Sequence, residues 1–144
     1  MPKCQNQFDL KMAKIEDIER IIKKLKPKNS KGNDITNMKI IKKLCPAIIP
    51  HITHLVNSII HIEIYPTILK VSRISPILKP EKPSENIDSY RPINNLSAVE
   101  KIVEEFIKEQ LNEFIDLNEI ILPDHHGSRK DYSTMTAISC LNHK

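Results

Sequence analysis

The chain has 144 residues, enough for one domain or part of one. Its 22 Lys and Arg stand against 18 Asp and Glu, giving a net charge of +4, which permits an anionic partner and equally fits an ordinary excess of lysine. No apolar run approaches the ~20 residues of a membrane-spanning helix, and the first fourteen residues lack the apolar centre of a signal peptide.

Hydrophobic residues make up 40% of the chain but aromatics only 4%, so Ile, Leu and Val must fill any core. Only 2 residues are Gly, which leaves tight turns to Pro, Asn and Asp. The cysteines, Cys4, Cys45 and Cys140, are odd in number and form no Cys-x-x-Cys. That argues against a disulfide framework and for reduced, buried thiols in a cytosolic or nuclear protein.

Residues 1–14 are polar and aperiodic, a flexible lead-in. Ile15, Ile18, Ile21, Ile22 and Leu25 then recur at helical spacing, and Pro27 ends that helix. A basic turn follows, with Lys26, Lys28 and Lys31 on it. These lysines suit phosphate contacts, although a solvated loop is the commoner outcome for such a run. Asp34 is a candidate cap for a second helix over Thr36–Leu44, with Ile35, Met38, Ile41 and Leu44 inward. Pro46 separates it from a third, densely apolar helix through Ile48, Ile52, Val56 and Ile60, ending before Tyr65-Pro66. His51 and His54 lie three apart on it, but no third ligand is placed to complete a metal site.

A turn from Thr67 leads into a strand over Ile74–Leu78, where Pro76 demands an edge position. The loop Pro80–Ser89 carries turn residues throughout. Lys79 and Arg91 flank it, and a hairpin would bring them to one surface, an arrangement suited to a polyphosphate or a nucleic-acid backbone. Ser97 and Glu100 form a capping box for a helix with Val99, Ile102, Val103, Phe106, Ile107 and Leu111 on one stripe. The fold class expected is α+β and mostly helical: three helices, a short β-hairpin, one long helix and a short terminal one.

Ser75-Pro76-Ile77-Leu78-Lys79-Pro80, then Asp88-Ser89-Tyr90-Arg91-Pro92-Ile93-Asn94-Asn95-Leu96, then Val99-Glu100-Lys101-Ile102 resembles the first fingers block of non-LTR (LINE-type) retrotransposon reverse transcriptases. Lys31-Gly32-Asn33-Asp34-Ile35 is similar to that family's signature upstream of the block. Gly127, Arg129, Ser133 and Thr134 match its second block, where Asp131 stands in place of the usual Gly and Ser128 in place of a frequent aromatic. His125 and His126 precede Gly127, as in some members.

The resemblance implies an RNA-directed DNA polymerase whose partners are an RNA or DNA template and a deoxynucleoside triphosphate, with magnesium as the cofactor of a complete member. It implies Lys79 and Arg91 near the incoming triphosphate, Arg129 near the template or the fingers–palm junction, and Lys130 among the nucleotide- or template-binding residues. The organisation expected is a helical segment over 15–66 and a fingers segment over 67–144. The seven aspartates sit at caps, turns and polar faces, none adjacent to another, so the palm carboxylates for two-metal chemistry are expected to be absent. The chain alone is therefore expected to be inactive. Two other readings stand beside this one: a small helical interaction module that self-associates through an exposed apolar surface, and a non-functional remnant.

Overall fold

The computed structural model describes residues 7–27, 32, 36–121, 127 and 131–142. The elements are α1 (Ile15–Lys24), α2 (Met38–Lys43), α3 (Cys45–Ile62), β1 (Arg73–Leu78), β2 (Tyr90–Asn95), α4 (Ala98–Leu117) and α5 (Thr134–Asn142), with short 3-10 turns at Thr67–Lys70 and Ile87–Ser89. This is an α+β, mostly helical chain with one two-stranded antiparallel sheet among the described residues. Residues 10–109 form one compact unit, and the described parts of 1–9 and 110–144 form another.

The core of the larger unit is built mainly from isoleucine. Ile18, Ile21 and Ile22 of α1, Ile41 of α2, Val56 of α3, and Ile102 and Val103 of α4 are fully enclosed. Burying each such side chain favours folding by about 1.5–3 kcal/mol. Phe106 is the one aromatic among the described buried residues. On the outer side, Lys24 Nζ lies 2.8 Å from Glu105 and 2.9 Å from Glu109, and Arg20 lies 2.8 Å from Glu109. The hydrogen bond from Lys24 holds the Glu105 carboxyl below its usual range. Partial burial pushes Glu109 up, but its hydrogen bonds from Lys24 and Arg20 together outweigh that and hold it low.

Helix boundaries follow local chemistry. The Asp17 carboxylate accepts from the Lys14 amide at 3.1 Å and closes the start of α1. The second helix begins two residues later than the sequence pattern suggests. Its cap is Asn37, whose Oδ1 accepts from the Ile40 amide at 3.0 Å. Asp34 and Ile35 lie outside the described residues. Leu44 is 50% exposed rather than inward, because it forms the corner where α2 ends and α3 begins. Pro46 stands in the first turn of α3, where its missing N–H costs nothing, while Pro50 lies inside the helix.

At the other end, α4 closes in a Schellman motif: Ile120 N–H donates to the Ile115 carbonyl at 3.1 Å and Glu119 N–H to that of Asp116 at 3.3 Å. The left-handed position there is Glu119, with φ 48°. Glu63, Glu81 and Asp131 also take positive φ, and the described glycines do not. Acidic residues thus occupy the strained turns, where the sequence pointed to Pro, Asn and Asp.

Two further expectations are corrected. Cys45 is half-buried and Cys140 exposed, so these thiols are not core residues; Cys4 lies outside the described residues. Within the expected lead-in, Ala13 is buried, and Asn57 grips it on both sides: its Oδ1 accepts from Ala13 N–H at 2.7 Å and its Nδ2 donates to the Ala13 carbonyl at 3.0 Å. That side-chain amide satisfies both backbone groups as a neighbouring strand would, and docks this part of the segment on α3.

In the smaller unit, Phe8 and Phe114 pack with ring centroids 5.2 Å apart and planes tilted by 58°. Helix α5 opens at a reciprocal pair, in which Ser133 N–H donates to Thr136 Oγ1 and Thr136 N–H to Ser133 Oγ.

Candidate nucleic-acid interface on the hairpin

Strands β1 and β2 pair in the register Arg73–Asn95, Ser75–Ile93, Ile77–Arg91 and Leu78–Tyr90. Lys79 N–H donates to the Ser89 carbonyl at 2.8 Å, which extends the same register by one pair. Successive side chains of a strand point to opposite faces, and directly paired residues share a face. Arg73, Ser75, Ile77 and Lys79 therefore lie on the same face as Arg91, Ile93 and Asn95. The Asn95 amide, which donates to Ser75 Oγ at 2.9 Å, is the contact that this alternation requires.

Lys79 and Arg91 are thus brought to one surface. They are diagonal neighbours, roughly 7–8 Å apart at the backbone. Lys79 Nζ donates to the Asp88 carbonyl at 2.7 Å, so the ammonium also ties down its own loop. Tyr90 assists from the opposite face, its hydroxyl donating to the Ser84 carbonyl at 3.0 Å. Arg91 is exposed and makes no ion pair with a described residue. Neither strand pairs on its outer edge with a third strand among the described residues, and both carry a proline at the central pair, Pro76–Pro92.

Leu25, Lys26, Met38 and Lys101 line a cavity of about 250 Å³. Gly32 reaches the start of α4 so closely that a Cβ on it would stand 2.5 Å from the Ser97 nitrogen. Ser97 itself is fixed by the expected capping box: its N–H donates to Glu100 Oε2 at 3.3 Å, and its Oγ accepts from Glu100 N–H at 3.0 Å. The glycine of the upstream signature is a close-approach residue against the backbone at the start of α4.

Arg129 and Lys130, the other two candidate site residues, lie outside the described residues, as do Lys28, Lys31, His125 and His126. Asp131 has φ 64°, which accounts for a glycine being favoured at that point of the second block. His51 and His54 are both exposed on α3. Among the described residues, no group of three or more His, Cys, Asp or Glu is placed to hold a metal ion. No helix among the described residues is long and apolar enough to cross a membrane.

Sequence reasoning missed Arg73. It stands six residues before Lys79, and an even separation within one strand is the signal that both share a face.

The fold is a helical scaffold that presents a cationic β-hairpin, a class of architecture compatible with handling polyanions. No protein-family model matches the chain. Over 138 residues, 95% of the chain, it is 34% identical to a probable RNA-directed DNA polymerase from transposon BS of Drosophila melanogaster. It is 28% identical over 120 residues, 83% of the chain, to the RNA-directed DNA polymerase from mobile element jockey of Drosophila funebris. It is 27% identical over 131 residues, 90% of the chain, to a probable RNA-directed DNA polymerase from transposon X-element of Drosophila melanogaster. The chain spans 15%, 13% and 14% of those relatives, respectively. These relatives are RNA-directed DNA polymerases of non-LTR retrotransposons, and the likeness at 27–34% identity covers most of this chain.

Proposed function

We propose that this chain is the fingers part of a retrotransposon RNA-directed DNA polymerase, with residues 15–66 as the helical segment ahead of the fingers and 67–144 as the fingers segment. In this role it contacts the nucleic-acid template and the incoming deoxynucleoside triphosphate. Lys79 and Arg91 supply the cationic grip on phosphate, and Arg129 and Lys130 belong to the template side. No residue of the chain is assigned a catalytic role.

The observation that carries this reading is the shared face of Lys79 and Arg91. A guanidinium offers two parallel donors to phosphate oxygens, and an ammonium adds a mobile point charge. Placed as diagonal neighbours on one face, the two can meet neighbouring phosphates of one ligand. The exposed aliphatic residues Ile74 and Leu78 on the opposite face of the hairpin, with Ile87 in its loop, support a second reading, in which the hairpin meets protein.

The test is fluorescence anisotropy with a labelled single-stranded oligonucleotide between 50 and 200 mM salt, on the chain and on a Lys79→Gln/Arg91→Gln double variant. Weak binding that fades with salt and weakens further in the variant is expected. Binding that ignores both salt and substitution overturns the reading.

A further inference from the structure

We infer that Arg73 is the third cation of a single-strand path running along one face of the hairpin, from its base towards its tip. This rests on the phosphate-gripping reading above and extends it to a residue and a ligand geometry. Arg73 pairs with Asn95 at the base of the hairpin, on the face that also carries Arg91 and Lys79. At about 3.3–3.4 Å per strand residue, Arg73 and the Ile77–Arg91 pair stand roughly 13 Å apart. Lys79 lies roughly 7 Å further on. The row is therefore roughly 20 Å long, the length of about six stacked nucleotides at ~3.4 Å each.

Three features of the face fit an extended strand better than a compact ligand held at the tip. First, the loop beyond Lys79 carries Glu81, Glu85 and Asp88 against Lys82, so the cationic row ends at Lys79 and does not continue over the tip. The positive field lies along the strands instead. Second, Ile93, which lies between Arg73 and Arg91 along the row, and Ile77, which stands beside Arg91, are 41% and 54% exposed and offer aliphatic surface to sugars and bases. Third, Ser75 and Asn95 are hydrogen-bonded to each other, which leaves little polar apparatus for reading base edges. Phosphate contacts without base contacts bind a strand independently of its sequence. Arg73, like Arg91, is exposed and makes no ion pair with a described residue.

The experiment measures anisotropy of 12-residue oligo(U) and oligo(A) against salt for the chain and for Arg73→Gln, Arg73→Lys, Arg91→Gln and the loop variant Lys82→Gln. A displacement arm with inorganic triphosphate probes the compact ligand. Each phosphate contact to a single strand contributes about 0.7 to the slope of log affinity against log salt. Arg73→Gln is expected to lower the slope by about that amount and to weaken both oligonucleotides alike, by about two- to fivefold. Arg73→Lys should retain the slope, and Lys82→Gln should change neither quantity. Loss of affinity in Arg91→Gln but not in Arg73→Gln overturns the path and leaves the two-cation grip standing. Equal binding of a poly-glutamate peptide overturns the nucleic-acid assignment. Absence of any binding at 50 mM salt removes both.

Discussion

Pro76 and Pro92 stand opposite each other across the hairpin, at a pair whose backbone groups point outward rather than towards the partner strand. The outward direction follows from the Lys79–Ser89 bond, because hydrogen-bonded and non-hydrogen-bonded pairs alternate along an antiparallel ladder. Each proline thus removes the central donor from one outer edge. Exposed edges are templates for another strand, and proline is a common way to blunt them. The expected outcome of replacing both prolines by Val is concentration-dependent association, seen by light scattering as a rising mean mass, with each single variant intermediate. A double variant that stays as dispersed as the parent shows that the prolines do not guard the edges.

Gly32 is held by contact rather than by turn geometry. A Cβ there would lie 2.5 Å from the Ser97 nitrogen and 2.8 Å from the Leu96 carbonyl carbon. Both are backbone atoms at the start of α4, locked by the Ser97–Glu100 box, so neither can rotate away. Gly32→Ala should cost about 1–3 kcal/mol, typical of overpacking. The readout is a lower urea midpoint at unchanged slope.

The four left-handed residues invite the opposite change. Glu63 has φ 58° and Asp131 φ 64°. A side chain in that region costs about 1–2 kcal/mol per residue, and glycine returns part of this as unfolded-chain entropy. Glu63→Gly and Asp131→Gly should each raise stability by about 0.5 kcal/mol, with Asn at the same positions between parent and Gly. Thermal melts in one buffer test it.

What was legible in the sequence was what local chemistry decides. The Ser97–Glu100 box and the isoleucine stripe of α1 are encoded within one or two helical turns; the box forms as its spacing demands, and the stripe is buried at Ile18, Ile21 and Ile22 while Ile15 stays exposed. The hairpin was visible through its proline-rich loop and through family resemblance. The cap at Asn37 was missed because Asp34 offers the same chemistry three residues earlier, and the competition is settled by where α2 packs. The Asn57–Ala13 clamp joins residues 44 apart, and no local pattern announces it. Arg73 needed the strand register, which fixes faces only once the pairing partner of each residue is known.

The glutamates of α4 should give opposite pH responses. Glu109 titrates below its ordinary 4.5 in the folded chain, because the bonds from Lys24 and Arg20 outweigh burial. Its contribution is therefore present above pH 4.5 and lost as pH falls through the lower, folded value. Glu104 is raised, first by partial desolvation and then by Glu100. Its ionisation opposes folding at neutral pH, and that penalty disappears in acid. Glu109→Gln should thus destabilise at pH 7, by about 1 kcal/mol or less. Glu104→Gln should stabilise slightly at pH 7 and lose that advantage in acid, while the Glu109→Gln difference should fall away only as pH drops through the lowered Glu109 value. Added salt should shrink the Glu109 effect more than the Glu104 effect, whose first cause is desolvation.

Lys79 has two tasks that compete for its ammonium. It closes the loop through the Asp88 carbonyl, while Tyr90 closes it through Ser84. A ligand phosphate on the same face must share the ammonium, which has three donors, or draw it away from Asp88. Either bond is exposed, so each is worth about 0.5–1 kcal/mol, at the low end for a hydrogen bond. Lys79→Met and Tyr90→Phe should each speed amide exchange across residues 81–88 by about two- to fivefold, without changing exchange in α1 or α3. The double variant should exceed either one, since the two bonds hold different points of the loop. Exchange in Lys79→Met equal to the parent's would mean that the ammonium does not restrain the loop and is free for a ligand from the outset.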